Sequence, residues 1–420
     1  MTPDHGAGKE MNTPLITKAV CTPFLLALMG AVMVKPAGRT LPPPQSGATY
    51  YVAPRGADSN PGSQSRPFRT IQHAADIVNP GDTVIVEDGT YSGTGTGTAC
   101  ASASSRPVVC LTRGGTIQQW VTFRARHKLG AKIDGASNRS TAGFRFLVDA
   151  NYIAIEGFDV FGMGNATQSA TGFELYDGGH DVILAENDIH HIGRLCTDTT
   201  NGETGIFIQQ PRVTITRNRI HDIGRFAPGE SGCAPSTIFY KNHDHGIYVN
   251  GRNVPGASDA LITNNVFYNH QHGWAIQVYP GNVNGLSILN NTFAAANPYS
   301  TGQIIVGAST RNGRIINNIF SDPLEAAITF YQGTHTDLVV AHNLSSLRLA
   351  DRQPDGVTFL SNIENAAAQI AGDTFRPLPA SPALNRGMEL PEVSVDLLGT
   401  ARPQGGAWDI GAIEVGGGKQ

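Results

Sequence analysis

Thr171-Gly172-Phe173-Glu174-Leu175-Tyr176, Thr204-Gly205-Ile206-Phe207-Ile208-Gln209 and His245-Gly246-Ile247-Tyr248-Val249-Asn250 are three copies of one phrase. Trp274-Ala275-Ile276-Gln277-Val278-Tyr279, Gly302-Gln303-Ile304-Ile305-Val306-Gly307 and Ala326-Ala327-Ile328-Thr329-Phe330-Tyr331 continue it. Stacked in register they give two apolar columns: Phe173, Ile206, Ile247, Ile276, Ile304, Ile328, and Leu175, Ile208, Val249, Val278, Val306, Phe330. Side chains alternate faces along a strand, so both columns point into one interior. After a break, each phrase is followed by a second strand that ends in Asn.

Those residues are Asn187, Asn218, Asn265, Asn291, Asn318 and Asn343, and subtraction gives separations of 31, 47, 26, 27 and 25. The last three are the bare coil, and the first two contain insertions. Asn at one phase of every coil suits a turn with left-handed backbone, and stacked amides can also bond one another between coils. Phe267, Phe293 and Phe320 follow two residues later, where ring can stack on ring. A repeat of roughly 25 residues with strands and no helical period signals a solenoid. Regularly spaced Leu, the mark of a leucine-rich repeat, is missing, and a propeller blade needs about 40 residues. An all-β parallel β-helix remains.

An open solenoid exposes strand edges and core at its ends, which must be capped. Residues 68–78 supply an N-terminal capping helix with Ile71, Ala74, Ala75 and Val78 on one face. Asn79-Pro80-Gly81 stops it, and Thr83-Val84-Ile85-Val86 starts the solenoid. The expected organisation is one domain over 49–415, with a cap over about 49–92 and a C-terminal strap over about 375–415. Before it, Lys18 precedes an apolar run over 19–34 with small residues near its end, which reads as a signal peptide over 1–37. That run contains Pro23 and is short for a membrane span, so no membrane association is expected after processing. Residues 38–48, rich in Pro, read as a linker.

With 15% charged and 40% hydrophobic residues the chain is not disordered, and a net charge of −4 offers no basic footprint for nucleic acid. Removal of the leader leaves Cys100, Cys110, Cys196 and Cys233, an even number suited to a secreted protein, extracellular or periplasmic. No Cys-x-x-Cys spacing suggests zinc, and no metal ligands are assigned. Cys100 and Cys110 flank a small loop. The insertions over 194–203 and 225–244 leave consecutive coils at the same phase, after Ile192-Gly193 and Ile223-Gly224. They must lie side by side, which lets Cys196 meet Cys233 and form a stapled wall. Long loops on one edge of a rigid scaffold commonly carry function.

The outward columns of the same strands are the candidate substrate face. One reads Glu174, Phe207, Tyr248, Gln277, Ile305, Thr329, and the other Tyr176, Gln209, Asn250, Tyr279, Gly307, Tyr331. Neutral hydrogen-bonding groups with aromatic platforms suit sugar rings, whose rims carry hydroxyls and whose faces carry C–H. The bland alternative is a solvated sheet with cross-strand Tyr packing. Behind the wall runs Tyr240-Lys241-Asn242-His243-Asp244-His245, and the next coil adds His270 and His272. Strict alternation from Ile247 turns Tyr248 and Asp244 outward, and His245 and Trp274 inward. Tyr248, His245, Asp244, Lys241 and His243 are the catalytic candidates. Glu174, Tyr176, Glu203, Gln209, Asn250, His272, Gln277 and Tyr279 are the substrate-binding candidates. His190 and His221 share one phase in stacked coils and are expected to pack in a turn.

Tyr50-Tyr51-Val52-Ala53-Pro54, Asp58-Ser59-Asn60-Pro61-Gly62, Thr70-Ile71-Gln72, and Gly81-Asp82-Thr83-Val84 through Gly89-Thr90-Tyr91 resemble the opening segment of secreted right-handed β-helix proteins. These include the pectate-lyase-like polysaccharide lyases, among them family-nine-type enzymes. Ser381-Pro382-Ala383-Leu384-Asn385, Gly399-Thr400-Ala401-Arg402-Pro403-Gln404-Gly405 and Asp409-Ile410-Gly411-Ala412-Ile413-Glu414 resemble that group's C-terminal strap. The resemblance implies a right-handed helix, a glycan partner such as an acidic polysaccharide, and β-elimination. Family-nine-type lyases use an outward lysine base and a Ca²⁺ site of several aspartates. Here the outward columns contain no Lys and residues 242–246 contain one Asp, so Ca²⁺ is an option that the residues do not demand. Alternatives on the same scaffold are a glycoside hydrolase using Glu174, Glu203 or Asp244, a C5-epimerase, and a non-catalytic glycan-binding solenoid. A capped solenoid needs no partner subunit, so a monomer is expected.

Overall fold

A computed structural model describes residues 41–42, 46–93, 100, 106–165, 168–176, 178–196, 202–235, 243–253, 256–270, 272–294 and 302–416. The signal-peptide segment over 1–37 and most of the linker lie outside these residues, as does Lys241.

Each coil contributes three strands rather than two. In the coil that opens with Thr204–Ile208, Val213–Thr216 and Arg219–Ile223 follow. The third strand is short and mixes polar with apolar residues, as in Asp188–Ile192, so its alternation was illegible beside the other two. Among the described residues the strands stack in parallel into three sheets. The first begins with Thr49–Val52 and Thr83–Val86, the second runs from Pro107–Leu111 to Arg348–Ala350, and the third from Gly89–Ser92 to Leu344–Ser345.

The register of the second sheet is the one the apolar columns require. Phe173 pairs with Ile206, Ile206 with Ile247, Ile247 with Ile276, Ile276 with Ile304 and Ile304 with Ile328. Val109 and Phe144 continue that column toward the N-terminus, with the Phe144 and Phe173 rings stacked at 5.2 Å. Every member is buried, and this burial supplies most of the driving force for stacking coils.

The Asn column is a hydrogen-bonded ladder. The Oδ1 of Asn218 accepts both the backbone N–H and the side-chain amide of Asn187, at 2.9 and 3.1 Å. The pattern repeats through Asn265, Asn291, Asn318 and Asn343 and ends at Asn362, a rung the repeat pattern had not revealed. Each Nδ2 also donates to a main-chain carbonyl, as Asn291 does to Ile262. The left-handed backbone expected at these asparagines belongs instead to the residues before them: Glu186, Arg217, Asn264, Asn290, Asn317 and His342, with φ between 50° and 59°. That residue turns the corner, which aims the following amide inward along the axis. Phe267, Phe293 and Phe320 stack as expected, at 4.7 and 4.9 Å.

The N-terminal cap is the helix Ile71–Ile77, whose first turn is capped by the Thr70 hydroxyl accepting the His73 N–H. Ile71, Ala74, Ala75 and Val78 lie in the core. At the other end the C-terminal segment folds back along the flank. Leu390, Val393 and Trp408 pack on outward Leu261, Leu289 and Ile316 of the first sheet. Leu397, Ala412 and Ile413 pack with Val266 and Ala294 of the third. Arg402 is fully buried with Glu414, 2.7 Å away, and bonds Asn264 of the solenoid. The strap therefore covers parts of two sheets, and among the described residues these hydrophobic clusters do not extend over the outer face of the second.

Cys100–Cys110 and Cys196–Cys233 are both disulfides, with Cα–Cα distances of 5.8 and 5.4 Å. Such bonds persist in oxidising compartments. Among the described residues no helix is long and apolar enough to cross a membrane.

Candidate functional site

The open face of the second sheet carries a line of outward side chains: Arg145, Glu174, Phe207, Tyr248, Gln277. Arg145 stands within 3.4 Å of Glu174 and lies 5.7 Å from the Tyr176 ring centre. Tyr176 stacks on Phe207 at 5.2 Å, and Phe207 tilts against Tyr248 at 5.5 Å, giving three aromatic rings in consecutive coils. Tyr176 is well exposed, whereas Phe207 and Tyr248 are half-buried.

Tyr248 is the most elaborated of these. Its phenol is hydrogen-bonded by Gln277 of the next coil and lies within electrostatic reach of Arg252. Burial pushes the phenol above its ordinary value, while Gln277 and Arg252 pull it back. Asn250 orders the segment after the strand, because its Oδ1 accepts the Arg252 N–H at 2.9 Å. Beyond Val249 the register with the next coil shifts, and there Tyr279 projects half-buried beside a cis Pro280. Gln209, Asn250 and Gln277 face outward but are nearly covered by their neighbours. Glu174 is held above the usual carboxylate range by burial, which Arg145 opposes.

Several candidates occupy other places. Asp244 does not face outward: it is 2% exposed and locked onto fully buried Arg225. Arg225 donates to it from its backbone N–H and from Nε and Nη2, at 2.9 to 3.2 Å, and the Glu203 N–H donates as well. Glu203, expected at the substrate, is fully buried and accepts the Ala170 N–H at 2.7 Å. Burial, and after it the neighbouring Asp244 carboxylate, push its carboxyl well above the usual carboxylate range. His272 is 2% exposed and bonds Glu230 of the second insertion, which also meets Arg194 of the first.

These corrections share one cause. Strict alternation fails at a bend, and residues 203 and 244 sit where the two insertions rejoin the solenoid. There Glu203 packs under Gly193 and Asp244 under Gly224, and a Cβ at either glycine would overlap the carboxylate side chain. Both glycines have positive φ, 72° and 112°. The insertions are thus pinned at their bases by buried carboxylates and stapled between by Cys196–Cys233.

His245 turns inward as expected, buried among Tyr248 and Trp274, and burial lowers its imidazole to about 3. It is neutral at any physiological pH. His243 is exposed at the start of the same coil. His190 and His221 lie on strands of the third sheet rather than in a turn, stacked at 4.9 Å and bonded to Asp159 and Asp188. Arg145, Arg225 and Arg252 were missed. Arg145 occupies the outward position of Ala142-Gly143-Phe144-Arg145-Phe146, a further copy of the phrase, and extending the column one coil would have found it.

A Ca²⁺ site of the family-nine type does not fit residues 243–246: the single carboxylate is committed to Arg225 and two N–H groups, and imidazole is a poor Ca²⁺ ligand. Among the described residues no three His, Cys, Asp or Glu side chains are grouped to hold a metal ion.

Residues 50–223 match the Pel9A-like right-handed β-helix region, and residues 146–320 match the general right-handed β-helix region. The Bacillus subtilis (strain 168) protein YwoF is 29% identical over 148 residues, 34% of this chain; the chain thus spans less than a third of that relative, 29% of its length. The crystal structure of pectate lyase Pel9A superposes with a TM-score of 0.53 at 16% identity, covering 88% of this chain and 96% of that one. An alginate lyase from Paenibacillus sp. str. FPU-7 superposes at 0.50 and 16% identity, covering 71% and 93%. At that identity the likeness is one of fold. Coil architecture, register and these matches together make the chain a right-handed parallel β-helix protein, similar over residues 50–223 to the Pel9A-like β-helix region.

Proposed function

We propose that the protein is a secreted lyase that cleaves a uronic-acid-containing polysaccharide by β-elimination on the open face of the second sheet. The observation that carries this reading is the Tyr248 phenol: outward, half-buried, bonded by Gln277 and beside Arg252, in the coil flanked by the stapled insertions. In β-elimination a base removes the proton α to the uronate carboxylate, the C–O bond to the departing sugar breaks, and a C=C bond forms. The departing oxygen then takes a proton. Arg252, Gln277 and Asn250 are suited to hold the carboxylate and stabilise the charge that grows on it. Tyr248, protonated at rest, is suited to donate to the departing oxygen, and exposed His243 is the base we assign.

The rings of Tyr176, Phe207 and Tyr248 offer apolar faces to successive sugars, and Arg145 offers a cation to an acidic one. Two-carboxylate hydrolysis is less well supported. It needs carboxyl groups facing each other across the bond at about 5–9.5 Å, and Glu203 and Asp244 are inside the protein, which leaves Glu174. The test is a panel of pectate, alginate and glucuronan, followed by ultraviolet absorbance of unsaturated ends with chelator and with added Ca²⁺. The expected result is a rise that Tyr248→Phe abolishes and chelator does not. New reducing ends without that absorbance would replace this reading with hydrolysis.

A further inference from the structure

The outer face of the third sheet carries a column of rings that the proposed chemistry does not use. Phe161, His190, His221 and Tyr268 hold one outward position in four consecutive coils. Their rings stack at 5.3, 4.9 and 4.3 Å, and Phe375 of the C-terminal segment lies 4.9 Å from Tyr268. Asp159 and Asp188, two residues earlier on the same face, meet Nε2 of His190 and of His221, each one coil on, at 2.8 and 3.0 Å. Nδ1 of His221 also meets a carboxylate, that of Asp222, at 2.6 Å. A carboxylate only accepts, so His221 carries a proton on both nitrogens and is an imidazolium. Burial works against that charge, but the bonds to Asp188 and Asp222 outweigh it and raise the imidazole above its ordinary value.

His190 is held differently. Asp159 engages its Nε2, and its Nδ1 lies 2.7 Å from Nδ1 of His191. Successive side chains on a strand face opposite ways, but the left-handed backbone of His191, φ 52°, brings the second ring back beside the first. Two imidazole nitrogens at that distance share one proton: one donates and the other accepts with its lone pair. A second proton removes the lone pair and sets two cations against each other. The surroundings resist it. Partial burial, and after it His190, lower the His191 imidazole; Asp222 opposes this, and His221 and Arg194 add to the lowering. On the previous coil Lys132 and Asp134 stand opposite Asp159 and Phe161. On the following coils Tyr268 lies within electrostatic reach of Asp188, Arg219 and Asp222. From the interior, His270 bonds the Ile220 carbonyl, and burial lowers it to about 4, so it adds no charge.

The pair stands at the foot of the stapled wall. His191 is followed by Ile192-Gly193-Arg194, where the first insertion leaves the solenoid. Arg194 crosses to the second insertion, donating to the Gly224 carbonyl at 3.1 Å and to Glu230 at 3.3 Å, with its guanidinium 4.1 Å from the Phe226 ring centre. The Phe226 N–H returns the contact to the Leu195 carbonyl at 3.0 Å. We infer that His190 and His191 form a pH-sensitive latch: one shared proton holds the feet of the two insertions together, and a second proton parts the rings and loosens the wall. The second cation both separates the two imidazoles and adds to the positive charge of Arg194, the residue that joins the insertions. This goes beyond the proposed function and does not depend on what the protein binds.

The test is amide hydrogen exchange of the full disulfide-bonded chain at pH 7.5 and 5.5, corrected for the pH dependence of the chemical step. The reporting amides are Gly193, Gly224 and Phe226, which donate to Met163, Ile192 and Leu195 at 2.7, 2.8 and 3.0 Å. Their exchange should quicken about 3- to 10-fold at pH 5.5, while the ladder amides of Asn291 and Asn318 keep their protection. His191→Asn removes the second proton's site with a residue that tolerates left-handed backbone, and His190→Phe removes its partner while keeping a ring between Phe161 and His221. Either variant, folded with the wild-type melting temperature at pH 7.5, should lose the difference between the two pH values. A wild type whose wall amides exchange alike at both values overturns the latch. So does a difference that persists in both variants, or a rise at the ladder amides as large as that at the wall.

Discussion

The Asn ladder and the outward column of the second sheet climb the same coils, yet one repeats a single residue and the other never settles. From Asn218 to Asn343 each amide meets an identical amide above and below, and each is buried with its side-chain donors and acceptor used. Along the open face Arg145, Glu174, Phe207, Tyr248, Gln277 and Ile305 differ at every step. The difference follows from what each column faces. A ladder whose partner is the next copy of itself is satisfied by one residue type, and a substitution leaves buried groups unpaired. A column facing solvent or a ligand has no such self-partner, so its residues can vary with what must be bound at each level. The two columns should therefore separate stability from function.

The largest expected effect is on activity from the outer column. Tyr248→Phe should lower elimination about 10²- to 10⁴-fold, the usual worth of a positioned acid or base, while unfolding free energy moves by less than about 1 kcal/mol. A comparable loss of stability would place Tyr248 with the scaffold and break the comparison. Next comes the buried clamp. Arg225→Met should cost about 3–5 kcal/mol in chemical denaturation, because it strands the Asp244 carboxylate inside the protein. Adding Asp244→Leu should recover most of that loss, and a double variant no better than the single would disprove the pairing argument. Within the ladder, Asn291→Ala orphans the Ile262 carbonyl and the two donors of Asn265, and should cost about 2–4 kcal/mol.

The smallest effect is the pH dependence at His245. Its folded pKa, about 3, is depressed below the ordinary 6.5. Its neutral form contributes stability in full above about 6.5, and that contribution is lost as pH falls toward 3. Between pH 6.5 and 5 the wild type should lose about 1–2 kcal/mol on this account. Thermal melts of His245→Phe across that window should show a flatter profile. Glu203 has the opposite sign: its raised pKa means stability present at low pH and lost as pH rises above the ordinary carboxylate value. Glu203→Gln should therefore gain on the wild type as the solution becomes more alkaline.

The sequence was legible where repetition carried the message. Phe173 to Ile328 and Leu175 to Phe330 gave register and interior, and the asparagines gave the coil length. The insertions leaving at Gly193 and Gly224 gave the pairing of Cys196 with Cys233. Legibility failed at the bends. Counting alternately back from Ile247 put Asp244 outside, but a corner resets the alternation, and the carboxylate points in to Arg225. Glu203 and His272, named for the substrate face, are likewise buried. The third strand of each coil was hidden because Asp159, His190, Asp188 and His221 pair across the outside of that sheet, so polar residues stand where an exposed alternation would be read.

The sequence by itself determined the solenoid, its interior, its cap and the level at which the wall rises, because a buried column constrains residue type at every coil and leaves a period to read. Only the tertiary structure decided which face stays open, since the strap's Leu390, Trp408 and Ile413 cover sheet positions far from them in the chain. It also decided that Asp244 and Glu203 serve the scaffold, and that Arg252 and Gln277 surround Tyr248. Those are contacts between different residues in different coils, and nothing repeats to announce them.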